Sequence, residues 1–144
     1  MTIPLSQEIV SEIQTLGKGG RTAWETGNIS LAEQKFLAIW DIIPEPKFEH
    51  DYAQSISRGL VSFYRDTGQL DKALEWIEIY RNAYGAWNPS VEFDVATVYF
   101  AFDNYDKAFK IFDEIYKKYG NMFFSANDKK YSEFYLDRLM KAKR

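Results

Sequence analysis

Cysteine is absent from this chain, histidine occurs once and proline four times. Without thiols there is no disulfide framework, no thiolate metal site and no cysteine nucleophile, a composition suited to a reducing compartment. The lone histidine, His50, stands between Glu49 and Asp51 with no second histidine or nucleophilic serine beside it, so neither a triad nor a zinc motif is formed. No run of about 18 apolar residues exists, which removes a membrane-spanning helix from the expectation. The first eight residues lack a basic stretch followed by an apolar one, so no secretory signal is read there. A cytoplasmic setting is expected. The formal net charge of −3 argues against nucleic acid as a partner.

Motif-like fragments fail on inspection. Gly17-Lys18-Gly19-Gly20 lacks the spaced glycine before its lysine and the Ser or Thr after it, so it is no phosphate loop. Asp103, Asn104 and Asp106 make half of a calcium loop without its glycine and final glutamate. Glu75, Glu78, Asp113 and Glu114 read as solvated helix faces. Lys129, Lys130, Arg138, Lys141, Lys143 and Arg144 near the C-terminus complement the macrodipole of a last helix. No catalytic residue, metal site or cofactor is expected, and the chain is not read as an enzyme.

Aromatic residues are plentiful, with 10 Tyr, 11 Phe and 4 Trp in 144 residues, enough to build a core without covalent staples. One pattern returns three times. Gly27-Asn28-Ile29-Ser30-Leu31-Ala32 and the following Phe36 are echoed by Gly68-Gln69-Leu70-Asp71-Lys72-Ala73 and Ile77. A third copy is Asp103-Asn104-Tyr105-Asp106-Lys107-Ala108 and Phe112. A turn residue, an apolar anchor two on and a small alanine before a bulky residue describe a helix-turn-helix unit. In this pattern Ser30, Asp71 and Asp106 are expected to open helices, with Glu33 completing a capping box on Ser30. One hairpin cannot bury its own apolar face, so such units must stack.

Apolar spacing predicts seven helices and no strand. The first carries Leu5, Ile9, Ile13 and Leu16, with either a break at Gly17 or continuation to Thr26; continuation is preferred because Gly20 falls where the repeat wants a small residue. Further helices are expected at 30–43, 52–66, 71–84, 90–102 and 106–119, and a last one from Asp128 with Tyr131, Phe134, Tyr135 and Leu139 inward. Residues 44–51 and 85–89 read as connectors.

These residues resemble the tetratricopeptide family, whose unit is about 34 residues long. Ala32, Ala73 and Ala108 are 41 and 35 residues apart, and the Pro44–His50 loop absorbs the surplus. Twelve residues before them stand Gly20, Val61 and Ala96, and nine before stand Ala23, Tyr64 and Tyr99. Four after stand Phe36, Ile77 and Phe112; twelve after stand Pro44, Gly85 and Gly120. The family's first tryptophan position holds Leu16, Ser57 and Glu92 instead, and its leucine position Gly19, Leu60 and Val95. The resemblance implies an all-α single domain over 1–144: three antiparallel helix hairpins (about 13–46, 54–87 and 89–122) with a capping helix at about 128–142, wound as a right-handed α-solenoid.

In this family the first helix of each hairpin lines a concave face that holds a peptide or a partner's helix. That implies Arg21, Trp24, Arg58, Ser62, Arg65, Phe93, Thr97 and Phe100 as partner-binding residues. Arginine and aromatic side chains dominate interface energetics, and together they suit an acidic or carboxylate-bearing segment with apolar anchors. The expected role is a non-catalytic module binding another protein or peptide. Two alternatives stay open: a bacterial immunity protein neutralising a cognate toxin, and a homo-oligomeric scaffold that uses Trp87 and the last helix.

Overall fold

A computed structural model of the chain describes residues 3–143. Among these residues are eight α-helices and no strand: α1 (Gln7–Glu25), α2 (Ile29–Ile42), α3 (Asp51–Asp66), α4 (Leu70–Tyr84), α5 (Pro89–Ala101), α6 (Tyr105–Tyr119), α7 (Met122–Ser125) and α8 (Lys129–Ala142). The chain divides into two compact units, Met1–Gly85 and Ala86–Arg144. In the first, α1 pairs with α2 and α3 with α4; in the second, α5 pairs with α6, and α7 and α8 pack beside α6. No helix of the described residues is long and apolar enough to cross a membrane.

The three copies of the sequence pattern share one backbone motif. Gly27, Gly68 and Asp103 all take positive φ (84°, 71° and 64°) just past the ends of α1, α3 and α5. In each, the next amide reaches back five residues: Asn28 to the Ala23 carbonyl, Gln69 to Tyr64 and Asn104 to Tyr99, at 2.8–2.9 Å. The positive-φ residue itself donates three residues back, to Trp24, Arg65 and Phe100. This double closure satisfies the last carbonyls of the helix and turns the chain into its partner.

The same turn corrects where the following helices start. Ser30, Asp71 and Asp106 are not the caps. Helices α2, α4 and α6 begin at the apolar anchors Ile29, Leu70 and Tyr105. Asn28 and Asn104 cap α2 and α6, their side chains accepting from the Leu31 and Lys107 amides. Gln69 precedes α4 without such a side-chain bond. Glu33 forms no capping box and serves α3 and α4 instead.

Helix α1 runs unbroken through Gly17, Gly19 and Gly20, and Ser6 caps its start by accepting from the Ile9 amide. The eight residues 43–50 link α2 to α3, whereas four, 85–88, link α4 to α5. The longer connector is not wholly irregular: Lys47–Glu49 forms a 3-10 turn. Lys47 Nζ donates to the Trp40 and Ile43 carbonyls at 2.8 and 2.7 Å, closing the C-terminus of α2. His50 is buried, and its Nδ1–H donates to the Ile3 carbonyl at 2.8 Å while the Ile3 amide donates to Glu49. The lone histidine thus clips the segment before α1 to the connector before α3.

Ala32, Ala73 and Ala108 are each fully buried. In the first unit, Trp24, Phe36 and Phe63 meet edge-to-face, with Phe36 and Phe63 centroids 5.4 Å apart. In the second, Phe93, Ala96, Ala108, Phe112, Ile115, Phe124, Tyr131 and Tyr135 form one buried cluster. The one-turn α7, which the apolar spacing did not announce, exists to place Phe124 in that cluster, 5.1 Å from Phe93 and 5.2 Å from Phe112. Helix α8 presents Tyr131 and Tyr135 to the same core, with Phe134 and Leu139 half-buried against it.

Candidate functional site

Helices α1 and α3 meet through Trp24 and Phe63, whose ring centroids are 5.1 Å apart. Between them, in the first unit, lies a cleft of about 420 Å³ floored by α2. Its walls are Ile13, Trp24, Phe36, Ile39, Tyr52 and Ile56, and Gln14, Arg21 and Ser55 bring polar atoms to it. Gly17 and Gly59 line it from opposite helices. A volume of this order with apolar walls and few polar groups is usual for a ligand or anchor-residue pocket.

The helical repeat explains the lining. On α1 Ile13, Gly17, Arg21 and Trp24 recur every three or four positions with Gln14 beside Ile13, and on α3 Tyr52, Ile56 and Gly59 do the same with Ser55 beside Ile56. Each helix therefore turns one stripe to the cleft. Trp24 is fixed at one end by edge-on contact with Phe63 at 5.1 Å and Phe36 at 6.3 Å. Arg21 folds back over Gly17: its Nη1 lies 3.2 Å from where a Cβ on Gly17 would stand. A side chain at position 17 would crowd the guanidinium away from the cleft. Among the described residues no ion pair engages Arg21, and it is the only charged residue lining the cleft.

Of the partner-binding residues read from the sequence, Arg21 and Trp24 come together at this cleft. Arg58, Ser62 and Arg65 lie farther along α3 and do not line it. Arg65 is half-buried and held by its neighbour, Nε and Nη2 donating to the Asp66 carboxylate at 2.7 and 3.1 Å. Arg58 is exposed and also has a partner. The remaining three lie in the second unit, where Phe93 and Thr97 are buried and Phe100 is half-buried. Phe93 is 1% exposed and packs on Phe112, Phe124 and Tyr131. Thr97 is buried, its hydroxyl donating to the Asp94 carbonyl at 2.6 Å. Phe100 is half-buried against Tyr105, Tyr131 and Phe134. Helix α5 is apolar on nearly every side, so a stripe drawn on its sequence cannot tell a covered face from an open one.

The sequence reading passed over Tyr52, Ile56 and Gly59 as cleft residues. Gly59 was detectable: it is a glycine in the middle of a helix, one turn beyond Ser55 on the stripe that lines the cleft. Trp87 is nearly half exposed, with the Lys118 ammonium 4.3 Å above its ring. Among the described residues no group of three or more His, Asp or Glu side chains is arranged to hold a metal ion.

The shifted titrations lie away from the cleft. Lys72 donates to Glu33 at 2.7 Å and holds its carboxyl below the usual range, against the opposing effect of burial and with help from the Tyr64 hydroxyl. Burial, then Glu33, pushes Tyr64 well up. In the second unit burial, then the Asp113 carboxylate, raises Tyr135 in the same way. These pairs tie helices together. No family model matches the chain, and no match is found among curated proteins or solved structures.

Proposed function

We propose that the chain is a tetratricopeptide-like helical-repeat module that binds a segment of another protein in the α1/α3 cleft and performs no catalysis itself. The family reading, three hairpins continuing as a right-handed solenoid, is supported by the identical turn after α1, α3 and α5 and by the buried alanine that follows each. The partner reading is carried by one observation: an arginine with no ion pair among the described residues stands at an apolar cleft. A guanidinium beside apolar walls favours a partner offering a carboxylate next to an apolar side chain. Arg21 and Trp24 are the residues assigned to contact it.

A photo-reactive residue in place of Ser55 tests this in the cell that makes the protein. The expected result is a discrete adduct to a different protein, much reduced when Arg21→Glu is added. An adduct only to a second copy of the chain would transfer the reading to a self-associating scaffold. An adduct unaffected by Arg21→Glu would remove the charge from the mechanism.

A further inference from the structure

Four glycines lie inside α1 and α3, and three have a reason within the fold. Gly20 makes room for Phe36, Gly19 for the Lys35 side chain, and Gly17 for the Arg21 guanidinium and Ile39. Gly59 differs. A Cβ there would meet nothing within 4 Å, yet the residue lines the cleft near the middle of α3. A glycine inside a helix weakens it relative to alanine, and here no contact in the chain offsets that loss. Its φ is not positive either, so the backbone does not demand it.

We infer that Gly59 is where the bound segment lies against the backbone of α3, and that this segment inserts one branched or aromatic apolar side chain flanked by carboxylates. The inference rests on the function proposed for the cleft and names what the cleft selects. A missing Cβ lets an incoming main chain approach the helix more closely than any other residue would. Once it is there, the apolar side chain reaches Ile13, Ile39 and Ile56, and a carboxylate on either side of it meets Arg21. Gln14 and Ser55 supply hydrogen-bonding groups for the segment's peptide units. Because Arg21 is the only charged residue lining the cleft among the described residues, a cationic segment meets repulsion there with no acid in the described lining to offset it.

The test is a titration of the ¹⁵N-labelled full chain with capped heptapeptides. The reference peptide is acetyl-Ala-Glu-Ala-Leu-Ala-Glu-Ala-amide; one control has alanine for the central leucine, another lysine for both glutamates. The Trp24 indole resonance, assigned from Trp24→Phe, and the Gly59 amide should shift saturably with the reference peptide. Both controls should bind about tenfold more weakly. Gly59→Ala should raise the Tm while weakening the reference peptide about tenfold, a combination that a purely structural glycine does not produce. Arg21→Gln should erase the preference for glutamate over lysine. If Gly59→Ala binds as tightly as the parent while Arg21 still sets the charge preference, the role of Gly59 is wrong and the cleft reading survives. If no peptide moves the cleft resonances, both fall.

Discussion

Tyr64 on α3 donates its hydroxyl to Glu33 on α2 at 2.8 Å, and Lys72 on α4 reaches the same carboxylate oxygen at 2.7 Å. One carboxylate therefore ties three helices of two hairpins. In the second unit Asp113 accepts from Tyr135 at 2.7 Å and from Lys117 at 2.9 Å, joining α6 to α8. Burial alone would raise the Asp113 carboxyl, but the Tyr135 hydroxyl and Lys117 together hold it below its ordinary 3.8, as Lys72 first and Tyr64 hold Glu33 below 4.5.

A carboxyl with a lowered folded pKa binds fewer protons in the folded than in the unfolded chain at intermediate pH, so its contribution is complete above the unfolded value. That contribution fades as pH falls from the ordinary carboxyl range through the lowered folded value. Urea midpoints followed from about pH 6 to about pH 3 should drop in this window. Glu33→Gln and Asp113→Asn should each flatten the drop while lowering the midpoint at neutral pH. An unaltered slope in both variants would show that other carboxyls govern acid unfolding.

Gly20 and Phe36 give a second test. A Cβ on Gly20 would lie 2.5 Å from Phe36 Cε1 and 2.9 Å from Cδ1, and the ring is boxed by Trp24 and Phe63. Gly20→Ala gains about 1 kcal/mol of helix propensity. It also overpacks a buried ring that has little room to retreat, at a cost of about 1–3 kcal/mol. The net expectation is destabilisation, seen as a lower urea midpoint. Adding Phe36→Leu should recover part of it, because the shorter side chain vacates the contested volume. Equal effects of Gly20→Ala with either residue at position 36 would deny the contact.

The helix spans were legible in the sequence because glycine and proline stops bound strongly periodic segments, and most observed ends fall within a residue or two of expectation. The cap register was not. Ser30, Asp71 and Asp106 are all residue types that cap well, but the left-handed residue and the amide bond that follows it fix the cap two residues earlier. Four residues are too few to show a period, so α7 escaped notice. At the site, Arg21 and Trp24 were readable from their stripe on α1. Phe93 and Thr97 are buried instead, unforeseen because the all-round apolar character of α5 hides which sides are covered.

Asp103 is the one non-glycine residue with positive φ among those described, and it occupies the place that Gly27 and Gly68 fill in the other two turns. An alanine there pays a steric cost of about 1–2 kcal/mol that glycine escapes. Gly68→Ala should therefore lower stability by about 1 kcal/mol. Asp103→Gly should have the opposite sign, offset in part by loss of the 2.9 Å bond from the Tyr105 hydroxyl. Paired denaturation curves read both effects. Destabilisation by Asp103→Gly as large as that of Gly68→Ala would mean the aspartate side chain, not the backbone, holds the third turn.

Phe93 separates structural from binding effects. Its ring lies 5.0 Å from Phe112, 5.1 Å from Phe124 and 5.9 Å from Tyr131, and it is almost wholly enclosed. Truncation to alanine removes a large buried side chain from a core that includes helices α5 to α8, and should cost about 3–5 kcal/mol. Arg21→Gln alters an exposed residue with no ion pair among the described residues and should stay within about 0.5 kcal/mol. A partner lost with Phe93→Ala would then reflect unfolding, which the accompanying fall in Tm reports. The same loss with Arg21→Gln at unchanged Tm would reflect the cleft. Near-parent stability of Phe93→Ala would return Phe93 to the surface and reopen α5 as a binding helix.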